Sequence, residues 1–380
     1  MNIFIHDEFD PETVAMLQAF YSRSHQSIED RIYSLGEDKT KIKEALKKYY
    51  VGYGHKSIGD CGYTTIFIEG VSLLAAKAIQ DFSLYNGQES STRFIDFQLA
   101  EFYHVTSNEL SSEIYQNWMS FYKDNFEDFL EHLKKFHVCE DSSNPAVFDK
   151  ALKAKAFDVF RGFLPCGTQT QLSWTVNLRQ LADQLLRLKC HPLEELRILA
   201  VLLKEKLILK YPSSFAQDTD HARYRYLSNF NENFTYTLSP TKTDFQYCSS
   251  INFDLLKRDS FWLETRPKNT ELPPYFNKFG EFMFNFKLDF GSFRDLQRHR
   301  NGSCPMPLIS KVNCFSAWYL NQLPEPIKTK ALTLIYNQTK LIKKLYNCCL
   351  MDDSNLQYYY PLGWEVDVEY VAALPQIVYI

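Results

Sequence analysis

Two short stretches of this 380-residue chain carry residue types that could do chemistry together, although they lie far apart in sequence. Arg298-His299-Arg300 sets two guanidiniums beside an imidazole. Such a triplet can neutralise and hydrogen-bond a phosphate or an anionic ring. Adjacent helical residues do not share a face, so the triplet is expected at a helix end, where its side chains diverge. The plainer reading of three residues alone is a solvated basic turn. The second stretch, Gln88-Glu89-Ser90-Ser91-Thr92-Arg93-Phe94, brings a carboxylate, hydroxyls and an arginine together. An extended backbone would put Glu89, Ser91 and Arg93 on one side, able to read an imide and a phosphate at once. A polar turn with an internal Glu–Arg pair is the plainer alternative.

Other motif classes fail on spacing. The glycine-rich run Gly52-Tyr53-Gly54-His55-Lys56-Ser57-Ile58-Gly59 fits neither the Walker loop nor the dinucleotide fingerprint. Ser57 lacks the preceding glycine of a nucleophile elbow. His6, His25, His104 and His221 show no ligand spacing, so no metal site is expected.

The elements that must position these residues are read from periodicity. Residues 11–49 read as helices, with apolar residues at helical spacing in Glu12 to Ala19 and Lys39 to Tyr49. Residues 50–61 read as a loop. Tyr63 to Glu69 is β-branched and aromatic and reads as a strand ended by Gly70. A helix follows over Val71 to Gln80. A long charged helix is expected over 107–137, and a helix pair broken near Pro192 over 177–210. The polar stretch 230–272, with Pro240 and Pro267, reads as a linker.

Composition bounds the rest. The chain is 45% apolar, with 30 Phe and 24 Tyr, enough for large cores and flat stacking pockets. A net charge of −4 argues against stable nucleic-acid binding. Nine cysteines without a CxxC pair fit reduced thiols, hence a cytoplasmic location. No apolar run approaches membrane-spanning length and no secretory leader is visible, so no membrane association is expected.

An internal repeat is expected. Gly62 and Gly280 each open a strand and then a helical run, ending at Ile79-Gln80-Asp81-Phe82-Ser83 in one case and Leu296-Gln297-Arg298-His299-Arg300 in the other. Asn86-Gly87 then matches Asn301-Gly302, Leu164-Pro165-Cys166-Gly167 matches Tyr360-Pro361-Leu362-Gly363, and Arg179-Gln180 matches Pro375-Gln376. The common order points to two unequal copies. The first spans 1–235, with a helical insertion near 105–155. The second spans 236–380 and is degenerate and short at its C-terminal end.

On these motifs the chain resembles the flavin-dependent thymidylate synthases. That family carries Arg-His-Arg followed, at a fixed distance, by Asn-Glu-x-Ser-x-Arg-Tyr. The first copy keeps the second part as Gln88 to Phe94, with Gln88 for the usual asparagine. Its Arg-His-Arg position falls on Asp81-Phe82-Ser83. The second copy keeps Arg298-His299-Arg300, and its serine position falls on Leu308. Gly54 to Asp60 resembles the family's Gly-His-x-Ser/Thr-x-x-Glu element, with Asp60 for glutamate. Arg161 with Leu164-Pro165, and Asn177 with Arg187, resemble its later elements.

The resemblance implies an α/β (α+β) fold, two tandem copies of the domain with a mixed sheet and flanking helices. It implies reductive methylation of dUMP to dTMP, a methyltransferase step of nucleotide biosynthesis. FAD would be the cofactor, with NADPH and methylenetetrahydrofolate as co-substrates. Catalytic roles would fall on Arg187, Ser91 and Arg298. Cofactor contacts would come from His55, Ser57, Asp60, Asn177, Arg298, His299 and Arg300. Substrate contacts would come from Gln88, Glu89, Ser91, Arg93, Arg161 and Arg187. The family builds its sites where subunits meet, so a homo-oligomer is expected, a pseudo-tetramer made from a dimer of tandem chains. The alternatives are a non-catalytic flavin- or nucleotide-binding homologue, a structural helical protein, and a modifier of uracil in nucleic acid.

Overall fold

Asp10 starts the first helix: its carboxylate accepts the Thr13 N–H at 3.2 Å, with Pro11 at the first helical position, where no N–H is needed. In a computed structural model, residues 9–22, 56–137, 145–216, 221–234, 245–268, 270–349 and 351–380 are described. In chain order they form α1 (Pro11–Tyr21), a 3₁₀ turn (Lys56–Cys61), β1 (Tyr63–Ser72), α2 (Leu73–Gln80), α3 (Glu109–Phe136), α4 (Pro145–Phe160) and β2 (Gln169–Asn177). Next come α5 (Leu178–Lys189), α6 (Glu194–Lys210), α7 (Pro212–Phe215), α8 (His221–Phe234), β3 (Phe245–Ser249), α9 (Phe253–Arg258) and α10 (Ser260–Glu264). The chain continues through β4 (Glu281–Asp289), α11 (Phe290–Leu296), α12 (Ala317–Gln322), α13 (Glu325–Cys349), α14 (Asp353–Leu356), β5 (Glu365–Ala373) and α15 (Leu374–Tyr379). The fold is a mixture of α and β. β1 pairs with β2, and β3, β4 and β5 form a second sheet in that order, antiparallel throughout.

The expectations for α1, the long helix α3 and the broken pair α5–α6 agree with these elements. The expected helix at Lys39 to Tyr49 lies outside the described residues. Part of the expected loop at 50–61 is instead the 3₁₀ turn. The stretch 230–272 is not a plain linker: it holds the end of α8, then β3, α9 and α10, because Phe245 to Ser249 alternates well enough to pair with β4. Gly70 does not end its strand. β1 runs through it to Ser72 with Gly70 at φ 72°, a conformation glycine adopts without steric cost. α2 then begins two residues later than expected, where the Ser72 hydroxyl accepts the Ala75 N–H at 2.9 Å. The nearest atom to an added Cβ at Gly70 is 3.6 Å away, so space is not limiting. Gly70→Ala should therefore cost about 1–2 kcal/mol from backbone strain alone, measurable by urea unfolding.

Contacts group the chain into two units. The first comprises 1–68, 85–88 and 172–235, and the second 69–84, 89–171 and 236–380. These are packing units, so they need not follow the boundary of a sequence repeat. In the first, Ala15, Met16 and Ala19 of α1 pack with Ile58, and the Ser214 hydroxyl donates to the buried Glu12 carboxylate at 2.7 Å. α5 is capped by Asn177 and packs its Leu181, Leu185 and Leu188 face against α6.

The second unit is built around α3, whose Trp118, Tyr122, Phe126 and Phe129 are almost wholly buried. These rings meet Phe157 and Phe160 of α4, with Phe126 4.7 Å from Phe157 and Phe129 5.3 Å from Phe160 between ring centroids. α3 also packs against α13, so each of the two long helices has the other as a neighbour. The loops on either side of Pro165 and Pro361 exchange reciprocal backbone bonds. Cys166 N donates to Tyr360 O at 2.8 Å and Leu362 N to Leu164 O at 2.8 Å. Gly167 N donates to Tyr358 O at 2.7 Å and Gly363 N to Gly162 O at 2.8 Å. The rings repeat the exchange: Phe102 meets Tyr359 at 5.5 Å and Phe163 meets Phe315 at 4.9 Å.

Candidate functional site

In the second unit α2 is buried along its whole length, and its single charged residue, Lys77, is fully enclosed. Its ammonium donates to Gln80 Oε1 at 2.7 Å and to Arg294 O at 3.4 Å, and lies 3.4 Å from Glu89 Oε2. Glu89 Oε2 also accepts from Gln80 Nε2 at 2.8 Å, while Oε1 accepts from Arg294 Nη2 at 2.6 Å. Two cations thus share one buried carboxylate. Burial pushes the Lys77 pKa down to about 8; Glu89 opposes this, while Arg294 and Arg298 add to it. Burial pushes Glu89 the other way, but Arg294 and Lys77 outweigh it and hold the carboxyl below its ordinary value.

A second chain of charges adjoins this cluster. Arg93 Nε lies 3.1 Å from Asp158 Oδ1. Arg161 Nε lies 3.1 Å from the same oxygen, and its Nη1 donates to Asp295 Oδ2 at 3.2 Å. Asp295 follows Arg294 directly, so the stretch around Glu89 and the stretch leading to Arg298 are tied together twice.

Beyond α11 the Arg-His-Arg triplet lies just past the helix end, as its spacing predicts. Arg298 is exposed, and His299 sits edge-on to Tyr379 at 5.9 Å. His299 and Arg300 line a cleft of about 230 Å³, together with Gln80, Asp81, Phe82, Ser83, Gln297 and the loop 302–305. Across it Gln297 Nε2 donates to Asp81 Oδ1 at 3.2 Å. A larger groove of about 1010 Å³ beside His104 and Lys344 is open, and none of the expected site residues lines it.

The segment 88–94 is not extended. Ser91 Oγ accepts the Arg93 N–H at 3.3 Å, and Ser91 O accepts from Phe94 and Ile95, making a turn. A serine hydroxyl that captures a nearby backbone N–H competes with strand geometry. Glu89 therefore points inward while Arg93 is exposed, and the expected common side for Glu89, Ser91 and Arg93 is not formed.

The remaining expected residues lie in the first unit. Gln88 is exposed, with its backbone N–H bonded to Ser173 Oγ at 3.1 Å. Asn177 is buried, and its Oδ1 accepts the Gln180 N–H at 2.8 Å as the cap of α5. Asp60 pairs with Arg179 at 2.5 Å. Ser57 is exposed, and His55 is outside the described residues. Arg187, half-buried in the last turn of α5, neighbours the buried His191. Burial, with Arg187 and Arg197, drives the His191 pKa down to about 3, and its Nδ1 accepts the Leu193 N–H at 3.1 Å. Protonation must break that bond. A histidine held neutral contributes stability present above about pH 6.5 and lost as pH falls toward 3. Urea unfolding at pH 5 should give a stability about 2 kcal/mol lower than at pH 7, and His191→Gln should flatten that slope.

Sequence reasoning missed Lys77, Gln80, Asp158, Arg294, Asp295 and Gln297. One signal was available: a lysine inside Leu73–Gln80, otherwise almost entirely Ala, Leu and Ile, must be paired if that helix is buried. The aspartates gave no comparable sign.

The thymidylate synthase complementing protein family matches residues 5–213. A UPF0159 protein of Chlamydia pneumoniae is 24% identical over 352 residues, covering 78% of this chain and 66% of its own length. A UPF0159 protein of Chlamydia muridarum is 22% identical over 316 residues, covering 68% and 60%. The chain thus spans less than two thirds of these curated relatives. Among solved structures, the flavin dependent thymidylate synthase ThyX of Helicobacter pylori, complexed with FAD and dUMP, aligns at a TM-score of 0.33 and 20% identity, over 54% of this chain and 93% of that one. The UMP/dUMP methylase PolB of Streptomyces cacaoi, bound with 5-Br dUMP, aligns at 0.34 and 14% identity, over 55% and 89%. Because the family match takes in more than half of its residues, the chain belongs to the thymidylate synthase complementing protein family.

Proposed function

We propose that this protein is an FAD-dependent thymidylate synthase that methylates dUMP, working from one composite site per chain made by two copies of the domain. The observation that carries the reading is the 2.6 Å bond from Arg294 to Glu89. It joins the one retained Glu-x-Ser-x-Arg segment to the helix that ends in the one retained Arg-His-Arg. The cleft suits part of FAD: Arg300 and His299 suit its phosphates, and Gln297 Oε1, buried without a hydrogen-bond partner, suits a ring N–H. Bound flavin would supply the hydride chemistry, with methylenetetrahydrofolate and NADPH as co-substrates.

The protein's own residues divide the work. Arg298, exposed beside the cleft, and Arg300 bring positive charge to an anionic ligand. Glu89 has both oxygens spent on Gln80, Lys77 and Arg294, so it orients Arg294 and does not itself anchor a ligand. Arg161, committed to Asp158 and Asp295, holds Arg93 in place through their shared aspartate. Arg93 is the exposed member and the one able to turn toward a nucleotide phosphate. Ser91 accepts from the Arg93 backbone and shapes that turn. By the family resemblance, Arg187, His55, Ser57, Asp60 and Asn177 of the first unit would make flavin and nucleotide contacts of their own, with Asn177 also capping α5 and Asp60 also pairing with Arg179. The same commitment of Glu89 and Arg161 favours, as a second reading, a homologue that binds flavin and nucleotide without turnover.

The deciding experiment incubates the purified chain with FAD, dUMP, methylenetetrahydrofolate and NADPH. Formation of dTMP, lost in Arg298→Ala and Arg93→Ala, is the expected result. Binding of FAD and dUMP with no dTMP selects the second reading, and protein that binds neither excludes both.

A further inference from the structure

Corresponding positions of two similar segments face each other in the Arg300 cleft. In one segment the Ser72 hydroxyl caps Ala75, and Leu73 N and Leu74 N donate to Thr168 O and Cys166 O at 2.9 and 3.0 Å. In the other the Asp289 carboxylate caps Ser292 at 2.8 Å, and Phe290 N and Gly291 N donate to Trp364 O and Leu362 O at 2.9 and 2.8 Å. On this register Lys77 answers Arg294, Gln80 answers Gln297, and Asp81-Phe82-Ser83 answers Arg298-His299-Arg300. The two walls of the cleft are therefore counterparts. In a symmetric pair both walls would be basic; here one wall carries Asp81.

The two glutamines are also unequal. Gln80 has its amide spent on Lys77 and Glu89. Gln297 is equally buried and donates to Asp81 and to Lys77 O, but its Oε1 has no hydrogen-bond partner. A buried acceptor without a donor is unfavourable, and a ligand N–H would complete it. At about 230 Å³ the cleft is smaller than the roughly 300–1,000 Å³ that encloses a whole drug-sized ligand, so it holds one ring of a larger molecule.

We propose that this cleft is a single polarised subsite for a nucleotide, with phosphate at Arg300 and His299 and a ring N–H or amino group read by Gln297 Oε1 and the Asp81 carboxylate. The proposal rests on the functional reading above and assigns Asp81 and Gln297 as the residues that fix one orientation and one ligand per chain. Asp81 repels phosphate on its own wall, and only Gln297 of the two glutamines has an acceptor to offer.

Isothermal titration of the full chain with FAD and, separately, with inorganic pyrophosphate tests this. Wild type should bind one FAD per chain. Asp81→Asn should bind pyrophosphate about tenfold more tightly, since a negative charge leaves the cleft. Gln297→Met should bind FAD about tenfold more weakly with pyrophosphate affinity unchanged. Residues that merely hold the fold would weaken both ligands when replaced, and that pattern, or two FAD per chain, overturns the proposal. FAD bound by wild type and unaffected by either variant sinks this subsite and leaves the enzyme reading standing. No FAD bound by wild type removes both.

Discussion

Replacing Glu89 by alanine is expected to lower the free energy of unfolding by about 3–5 kcal/mol. The carboxylate is only 3% exposed and is the one anion between Lys77 and Arg294. Without it two buried cations face each other across Gln80, and neither can reach water. Removing a cation should behave differently. Lys77→Met leaves the Glu89–Arg294 pair balanced and fills a similar volume, so its cost should be far smaller, or its effect stabilising. The pH dependence separates the two cases. Lys77 binds its proton more weakly folded, at about 8, than unfolded, at about 10.4. Between those values the unfolded chain holds the extra proton, so stability should rise with pH there, and Lys77→Met should abolish the rise. Chemical denaturation of the three proteins at pH 7, 8 and 9.5 checks all of this. A Glu89→Ala protein as stable as wild type would mean that the cluster is hydrated and open.

The second large effect is expected at Trp118. Its side chain is wholly buried in α3, and its Nε1 donates to Tyr359 O at 3.1 Å, across to the loop that exchanges backbone bonds with the Pro165 loop. Trp118→Ala should cost about 3–5 kcal/mol through the lost packing and the cavity left behind. Trp118→Phe keeps most of the volume and leaves Tyr359 O without its donor, so about 1–3 kcal/mol is expected. Arg161 follows α4, the helix that packs against α3, into the Pro165 loop. On the proposed role of Arg161 in holding Arg93, loosening that loop should weaken dUMP binding beyond the stability loss, read as dUMP affinity at a temperature where the variant is still folded. Equal stability of Trp118→Ala and wild type would contradict the core described for the second unit.

Particular residues show where sequence reading holds and where it stops. The N-caps at Ser72, Asp289 and Asn177 are local, each side chain bonding a backbone N–H three residues ahead, yet the periodicity of the sequence passes over them and starts the helix after β1 at Val71. The position of Arg298-His299-Arg300 beyond a helix end followed from a local rule, that adjacent helical side chains diverge. Along 88–94 the plainer reading, a polar turn, is what forms, but without the internal Glu–Arg pair, because Glu89 and Arg93 find partners remote in sequence. β3 was missed because a short polar-flanked strand gains its stability from β4, more than thirty residues further on.

What the sequence determined by itself was the family and the two half-motifs, since each is carried by residue type and spacing along the chain. Only the tertiary structure decided how charge is shared among Lys77, Glu89 and Arg294, that Arg161 is committed to two aspartates, and that Asp81 stands opposite Arg300. Those are matters of burial and of distances between residues remote in sequence. In a low-dielectric interior a shift of a few ångströms decides whether a carboxylate is a ligand anchor or the counter-ion of its neighbours.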